Sequence, residues 1–142
     1  MIVAHILNQK GRDVATISPD KTLGDVVAAL GSRKIGALVV AESDRRILGI
    51  VSERDVVKVL AKSGAAALAE PVVSHMTAKV VSCAPDDSID MVMQEMTKGR
   101  FRHMPVEHEG KLSGIISIGD VVKFRLDQLA AESQALRDYI NS

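Results

Sequence analysis

The chain has 142 residues, 46% apolar and 25% charged, enough for one compact domain or two small, mutually dependent halves. Its 18 Lys and Arg balance 18 Asp and Glu, so the overall charge gives no attraction to nucleic acid or an acidic membrane surface. Aromatics are only 2% with no Trp, which argues against a base-stacking platform, and no apolar run is long enough to span a bilayer.

Met1-Ile2-Val3-Ala4-His5 lacks the basic start and apolar stretch of a signal peptide, so a cytoplasmic location is expected. A short helical turn is predicted over Val3–Leu7, followed by polar Asn8–Asp13. Val14-Ala15-Thr16-Ile17 reads as a brief strand ended by Ser18-Pro19-Asp20. Thr22 is a helix N-cap with Asp25 three residues on, and Leu23, Val26, Val27 and Leu30 share one helical face before Gly31 closes it. Ala37-Leu38-Val39-Val40 suits a buried strand, and Ser43–Arg46 a turn. Ile47–Val51 is the next strand, and Ser52 opens a helix to about Lys62.

The alanine-rich stretch Ser63–Glu70 before Pro71 reads as a linker with room for one extra helical turn. His75-Met76-Thr77 forms the entry turn of the second half, which repeats the first in order. Val80-Val81-Ser82-Cys83 is the brief strand; Ile89, Val92, Met93 and Met96 give the helical face; His103-Met104-Pro105-Val106 is the next strand. Glu109-Gly110 turns the chain into Leu112–Ile116, and Ser117 opens the last helix. Each half is therefore β-α-β-β-α, an α/β (α+β) fold of two repeats about a pseudo-two-fold axis. The expected units are 1–62, a linker at 63–72, 73–126, and a helical tail at 127–142. Leu126, Leu129, Ala130, Leu136 and Ile140 line one face of that tail, which either packs back on its own domain or meets a second copy.

Gly49-Ile50-Val51-Ser52-Glu53-Arg54-Asp55-Val56-Val57-Lys58 returns as Gly114-Ile115-Ile116-Ser117-Ile118-Gly119-Asp120-Val121-Val122-Lys123. Two readings fit this motif. In one, Ser52 and Ser117 cap helices and Asp55 and Asp120 reach back as capping boxes do. In the other, the helix N-terminus offers N–H groups and a positive dipole end to a phosphate. The strand glycine then admits a ligand or another backbone, and the carboxylate accepts from a ribose diol.

The repeated β-α-β-β-α order, the Pro-Asp before each first helix and the doubled Gly-h-h-Ser-x-x-Asp turn (h apolar) resemble a tandem pair of CBS domains, the Bateman module. The likeness covers nearly the whole chain up to about Leu126. It implies a non-catalytic regulatory module binding an adenosine-containing ligand (AMP, ADP, ATP or NAD(H)) in clefts between the halves. Carried over residue by residue, a first site takes Val14, Ala15 and Thr16 as adenine wall, with Gly36, Ala37, Ser52, Arg54 and Asp55. A second takes Val80 and Val81, Arg102, His103, Met104 and Pro105, with Ser117 and Asp120. The copies differ: Arg54 faces Gly119, and Lys34, Gly36 and Ala37 face Arg100, Arg102 and His103, so unequal sites are expected.

The resemblance also implies a homodimer and a regulated protein partner that the sequence does not name. A dimeric interaction scaffold with vestigial sites is the alternative. Nothing else competes as chemistry. The four histidines show no metal-ligand spacing, no nucleophile elbow is present, and lone Cys83 reads as a small buried apolar residue.

Overall fold

The apolar periodicities resolve into five α-helices and two small sheets in a computed structural model that describes residues 1–142. The first half runs α1 (Val3–Lys10), β1 (Thr16–Ile17), α2 (Leu23–Arg33), β2 (Ala37–Ala41), β3 (Ile47–Ser52), α3 (Glu53–Ser63). The second runs α4 (Ile89–Gly99), β4 (His103–His108), β5 (Lys111–Ser117), α5 (Ile118–Asn141). Short 3-10 turns at Ala65–Ala69 and Val72–Ser74 fill the connection, so the alanine-rich stretch does form extra helical turn. No helix is long and apolar enough to cross a membrane.

Helix starts follow the side-chain chemistry. Thr22, Ser52 and Ser117 each accept from the backbone N–H three residues on, while Asp25, Asp55 and Asp120 accept from the cap's own N–H at 2.9 Å. Helix ends differ from expectation. α2 does not stop at Gly31 but continues to Arg33, because the N–H of Lys34, in a left-handed conformation at φ 55°, returns to the Leu30 carbonyl. α4 ends the same way, with Arg100 at φ 55° returning to Met96.

β2 lies between β1, which it pairs in parallel, and β3, which it pairs antiparallel; β4 and β5 form the second antiparallel pair. The register shifts at the same place in each copy, between Val40 and Ala41 and between Val106 and Glu107. The expected strand over Val80–Cys83 is reduced to a single parallel bridge, Cys83 with Val106. Pro105 explains the loss. In the first half the Val39 N–H donates to the Ala15 carbonyl; proline at the matching position has no N–H for Val81.

Each half has its own core, and each core is completed by the other half's opening segment. One cluster gathers Leu23, Val26, Leu30, Leu38, Val40, Val51 and Val56 of the first half with Ala67 and Val72 of the connection. The other gathers Ile89, Val92, Met96, Met104, Val106, Ile116, Val121 and Phe124 with Val3, Ile6 and Leu7 of α1. Backbone bonds repeat this exchange: Leu23 and Val72 donate to Glu70 and Lys21, as Ile89 and Val3 donate to Met1 and Asp87. The strand glycines make room for it. A Cβ on Gly49 would stand 2.5 Å from Met76 Sδ and 2.9 Å from the Thr77 carbonyl; one on Gly114 would stand 2.8 Å from Leu7 Cδ2. The close neighbour is another part of the chain. A third cluster of Val39, Ala41 and Leu112 joins the two sheets.

α5 starts in the second core through Val121 and Phe124, with Arg125 paired to Asp90 of α4, and then leaves the domain. Its 24 residues span about 36 Å, and from Leu129 to Ser142 every residue is exposed. Leu126, Leu129, Leu136 and Ile140 remain 60–69% exposed, so the tail does not fold back on its own domain.

Candidate functional site

The exchange of opening segments decides which residues meet at the ends of the strands. A cavity of about 600 Å³ combines the closing motif of the first half (Ser52, Arg54, Asp55) with the wall of the second (Val80, Val81, Arg102, His103). That size is within the usual range for small-molecule sites. Its floor is the N-terminus of α3. Asp55 Oδ2 accepts from the Ser52 N–H at 2.9 Å and the Ser52 hydroxyl at 3.0 Å, which leaves Oδ1 with no partner in the chain. The capping reading is therefore correct, and it still leaves half of the carboxylate available.

Five basic side chains line this cavity, Arg54, Lys58, Lys79, Arg100 and Arg102, against two acidic ones, Glu53 and Asp55. Such a rim favours an anion with several oxygens, and guanidinium forks suit phosphate. Gly36 closes one side: its carbonyl accepts from the Glu53 N–H at 2.9 Å, and its Cα faces the His103 ring. Burial is the largest influence on His103. It holds the pKa below the ordinary histidine value despite the nearby Asp120 carboxylate, so the ring is neutral at pH 7.

The second closing motif has different company. Asp120 Oδ2 accepts from the Ser117 N–H at 2.9 Å and also from Lys10 Nζ of α1 at 2.6 Å. Lys10 Nζ donates in addition to the Ile115 carbonyl at 3.0 Å. Burial opposes ionisation of Asp120, but the bonds from Lys10 and Ser117 outweigh it and hold the carboxyl below the usual carboxylate range.

Site residues expected in two within-repeat sets are thus redistributed. Gly36, Ser52, Arg54 and Asp55 meet Val80, Val81, Arg102 and His103 in one cleft. Val14, Ala15, Ala37, Met104, Pro105, Ser117 and Asp120 do not line it. Thr16 lines a separate cavity of about 280 Å³ with Ser18, Glu42 and Arg45. Met104 is 1% exposed in the second core, because along β4 its side chain takes the face opposite to that of His103. Pro105 and Ala37 are also buried. Lys58, Lys79 and Phe101 are cleft residues that sequence reasoning missed. The i, i+4 spacing of Arg54 and Lys58 on one helix was a signal for the first of them. Cys83 is 4% exposed and burial pushes its thiol up to about 12, which fits a packing role and not a nucleophile.

The CBS domain model matches residues 4–62 and 71–127. This chain belongs to the CBS-domain family and is a tandem pair. A CBS-domain-containing protein from Agrobacterium tumefaciens superposes with a TM-score of 0.84 at 50% identity, covering 88% of this chain and 99% of that one. A putative signal-transduction protein with CBS domains from Burkholderia ambifaria gives 0.83 at 39% identity, covering 89% and 95%. A CBS domain protein of Pyrobaculum aerophilum, solved complexed with AMP, shares the fold with a TM-score of 0.75 at 23% identity, covering 84% and 89%.

Proposed function

We propose that this chain is a non-catalytic regulatory module that binds an adenosine-containing ligand, AMP, ADP, ATP or NAD(H), in the cleft between its halves. The observation that carries this reading is the first cleft itself. It joins an unpartnered carboxylate oxygen on Asp55, a helix N-terminus and five basic side chains in one cavity of about 600 Å³. The carboxylate suits a ribose diol, the N-terminus and guanidinium groups suit phosphate, and Val80 and Val81 offer an apolar wall to a base. The AMP complex of the Pyrobaculum aerophilum protein supports the same ligand class.

Because the cleft draws on both halves, a ligand there biases their relative angle, and an attached partner reads that bias as a change in affinity. The exposed apolar face of α5 supports a homodimer or a docked regulated protein. The buried, inert Cys83 suits a reducing cytoplasm.

Titration calorimetry with AMP, ADP, ATP, NAD and NADH tests the reading. Binding of at least one of them, lost in Asp55→Ala, is expected. No binding to any of the five would leave the interaction scaffold with vestigial sites.

A further inference from the structure

Lys10 and Lys79 occupy matching places in the two opening segments. Val3 and Val72 both donate to the loop before a first helix of the other half, and Leu7 and Met76 both lie over a strand glycine. Three residues beyond each of the latter comes a lysine. The two lysines end differently because the backbone between differs. In the second opening segment Thr77 leaves the helix and exchanges backbone bonds with Ile50, at 2.8 and 3.0 Å. The Ile50 carbonyl is thereby satisfied, and Lys79 reaches the open cleft with no ion pair. In the first opening segment α1 stays helical through Lys10, so no such bridge forms. The Ile115 carbonyl, counterpart of Ile50, instead accepts from Lys10 Nζ, which also binds Asp120.

We propose that Lys10 is a built-in cationic occupant of the second cleft, holding the carboxylate that would meet a ribose and limiting the chain to one nucleotide, in the first cleft. Lys79 is the same residue left free, and it contacts the phosphate of the bound ligand. The inference rests on the nucleotide reading of the closing motif. Three observations carry it. Lys10 makes two bonds on the motif, at 2.6 and 3.0 Å, the first on the Asp120 oxygen that also accepts from Ser117, so it places a cation against the carboxylate although Oδ1 has no partner. The helix that presents it is anchored by Val3, Ile6 and Leu7, none more than 3% exposed. The remaining basic positions are also poorer, since Gly119 and Gly36 stand where the first cleft has Arg54 and Arg102.

Calorimetry with AMP on the full chain provides the test. Wild type should bind one AMP per chain, and Asp55→Asn should bind it about 10- to 100-fold more weakly. Adding Lys10→Ala to Asp55→Asn should restore one site, at least about ten-fold tighter than in the single variant, and Asp120→Asn should remove it again. Lys10→Arg should give no such gain in the same background. Two AMP per wild-type chain would overturn the proposal, as would a folded Asp55→Asn/Lys10→Ala protein that binds no tighter than Asp55→Asn. If truncation unfolds the helix by circular dichroism, Lys10→Gln keeps the stem and removes the charge, and the same outcomes apply. A wild type that binds nothing, with Lys10→Ala binding through Asp120, would refute the first-cleft reading and leave this one standing.

Discussion

Asp55 and Asp120 each keep one carboxylate oxygen unpartnered, but Asp55 stands in a cavity with five basic side chains while Asp120 is already bound by Lys10. Both clefts begin from the same Gly-h-h-Ser-x-x-Asp turn and the same capping box, so the motif does not decide which one is open. What decides is the segment the other half delivers. A lysine on a helix folds onto the acid, while a lysine beyond a broken helix stays out of reach of it. A duplicated motif thus acquires two behaviours through its neighbours and through Arg54 standing where Gly119 does, while its Ser and Asp stay the same.

The largest expected effect separates the clefts directly. Asp55→Asn should weaken nucleotide binding by about 10- to 100-fold, as expected when a charge-assisted acceptor is lost. Asp120→Asn should leave that affinity within about two-fold. Calorimetry on the two variants checks this. Equal losses from both would mean that the clefts are equivalent and the asymmetry of Lys10 is without consequence.

The strand glycines compare the two exchanges. Gly49→Ala puts a methyl 2.9 Å from the Thr77 carbonyl, which is fixed by its bond to Ile50, so it should cost about 2–3 kcal/mol. Gly114→Ala meets only the end of the Leu7 side chain, which has rotamers to move through, and should cost about 1–2 kcal/mol. Urea unfolding ranks the pair; a costlier Gly114→Ala would show that α1 is the more rigid of the two segments.

Lys34 and Arg100 carry the same left-handed cap, but only Arg100 lines the open cleft. Glycine relieves that conformation, so Lys34→Gly and Arg100→Gly should each stabilise by about 0.5–1 kcal/mol. Only Arg100→Gly should also weaken nucleotide binding, by about ten-fold. Thermal unfolding with and without AMP distinguishes the cap from the contact. Loss of binding in both variants would place Lys34 in the ligand site as well.

Much of this was legible in the residues. The period of apolar side chains gave the helices and strands, and Ser52, Ser117 and Thr22 announced their helix starts. The family likeness came from the repetition of those signals. What the sequence did not reveal was the crossing of the opening segments, since Val3 and Leu7 carry no mark of which core they enter. Hence the site residues were grouped by repeat, when the cleft joins Ser52 and Asp55 to Val80 and His103. The short strand at Val80–Cys83 failed for a local reason that was in view: Pro105 lacks the N–H that its partner needs. Gly31 misled as a helix stop because a left-handed lysine served instead.

The smallest effect tests whether the Lys10–Asp120 contact is electrostatic. A carboxyl whose folded pKa is depressed stabilises the fold above its unfolded value, near 4, and loses that contribution as pH falls through the folded value. Lys10→Ala should therefore be less stable than wild type by up to about 1 kcal/mol at pH 6.5, the usual ceiling for a partly exposed pair. The difference should shrink as pH falls below the unfolded value and Asp120 takes up its proton. His103, neutral and half-buried, lowers the stability of both as pH drops below its unfolded value, and the Lys10 charge deepens that loss in wild type, so His103 shrinks the gap in the same direction. Added salt should narrow the pH 6.5 gap in the same direction. A gap of equal size at pH 6.5 and pH 3 would mean that Lys10 contributes through its stem packing on the sheet, and that its charge does not hold the second cleft shut.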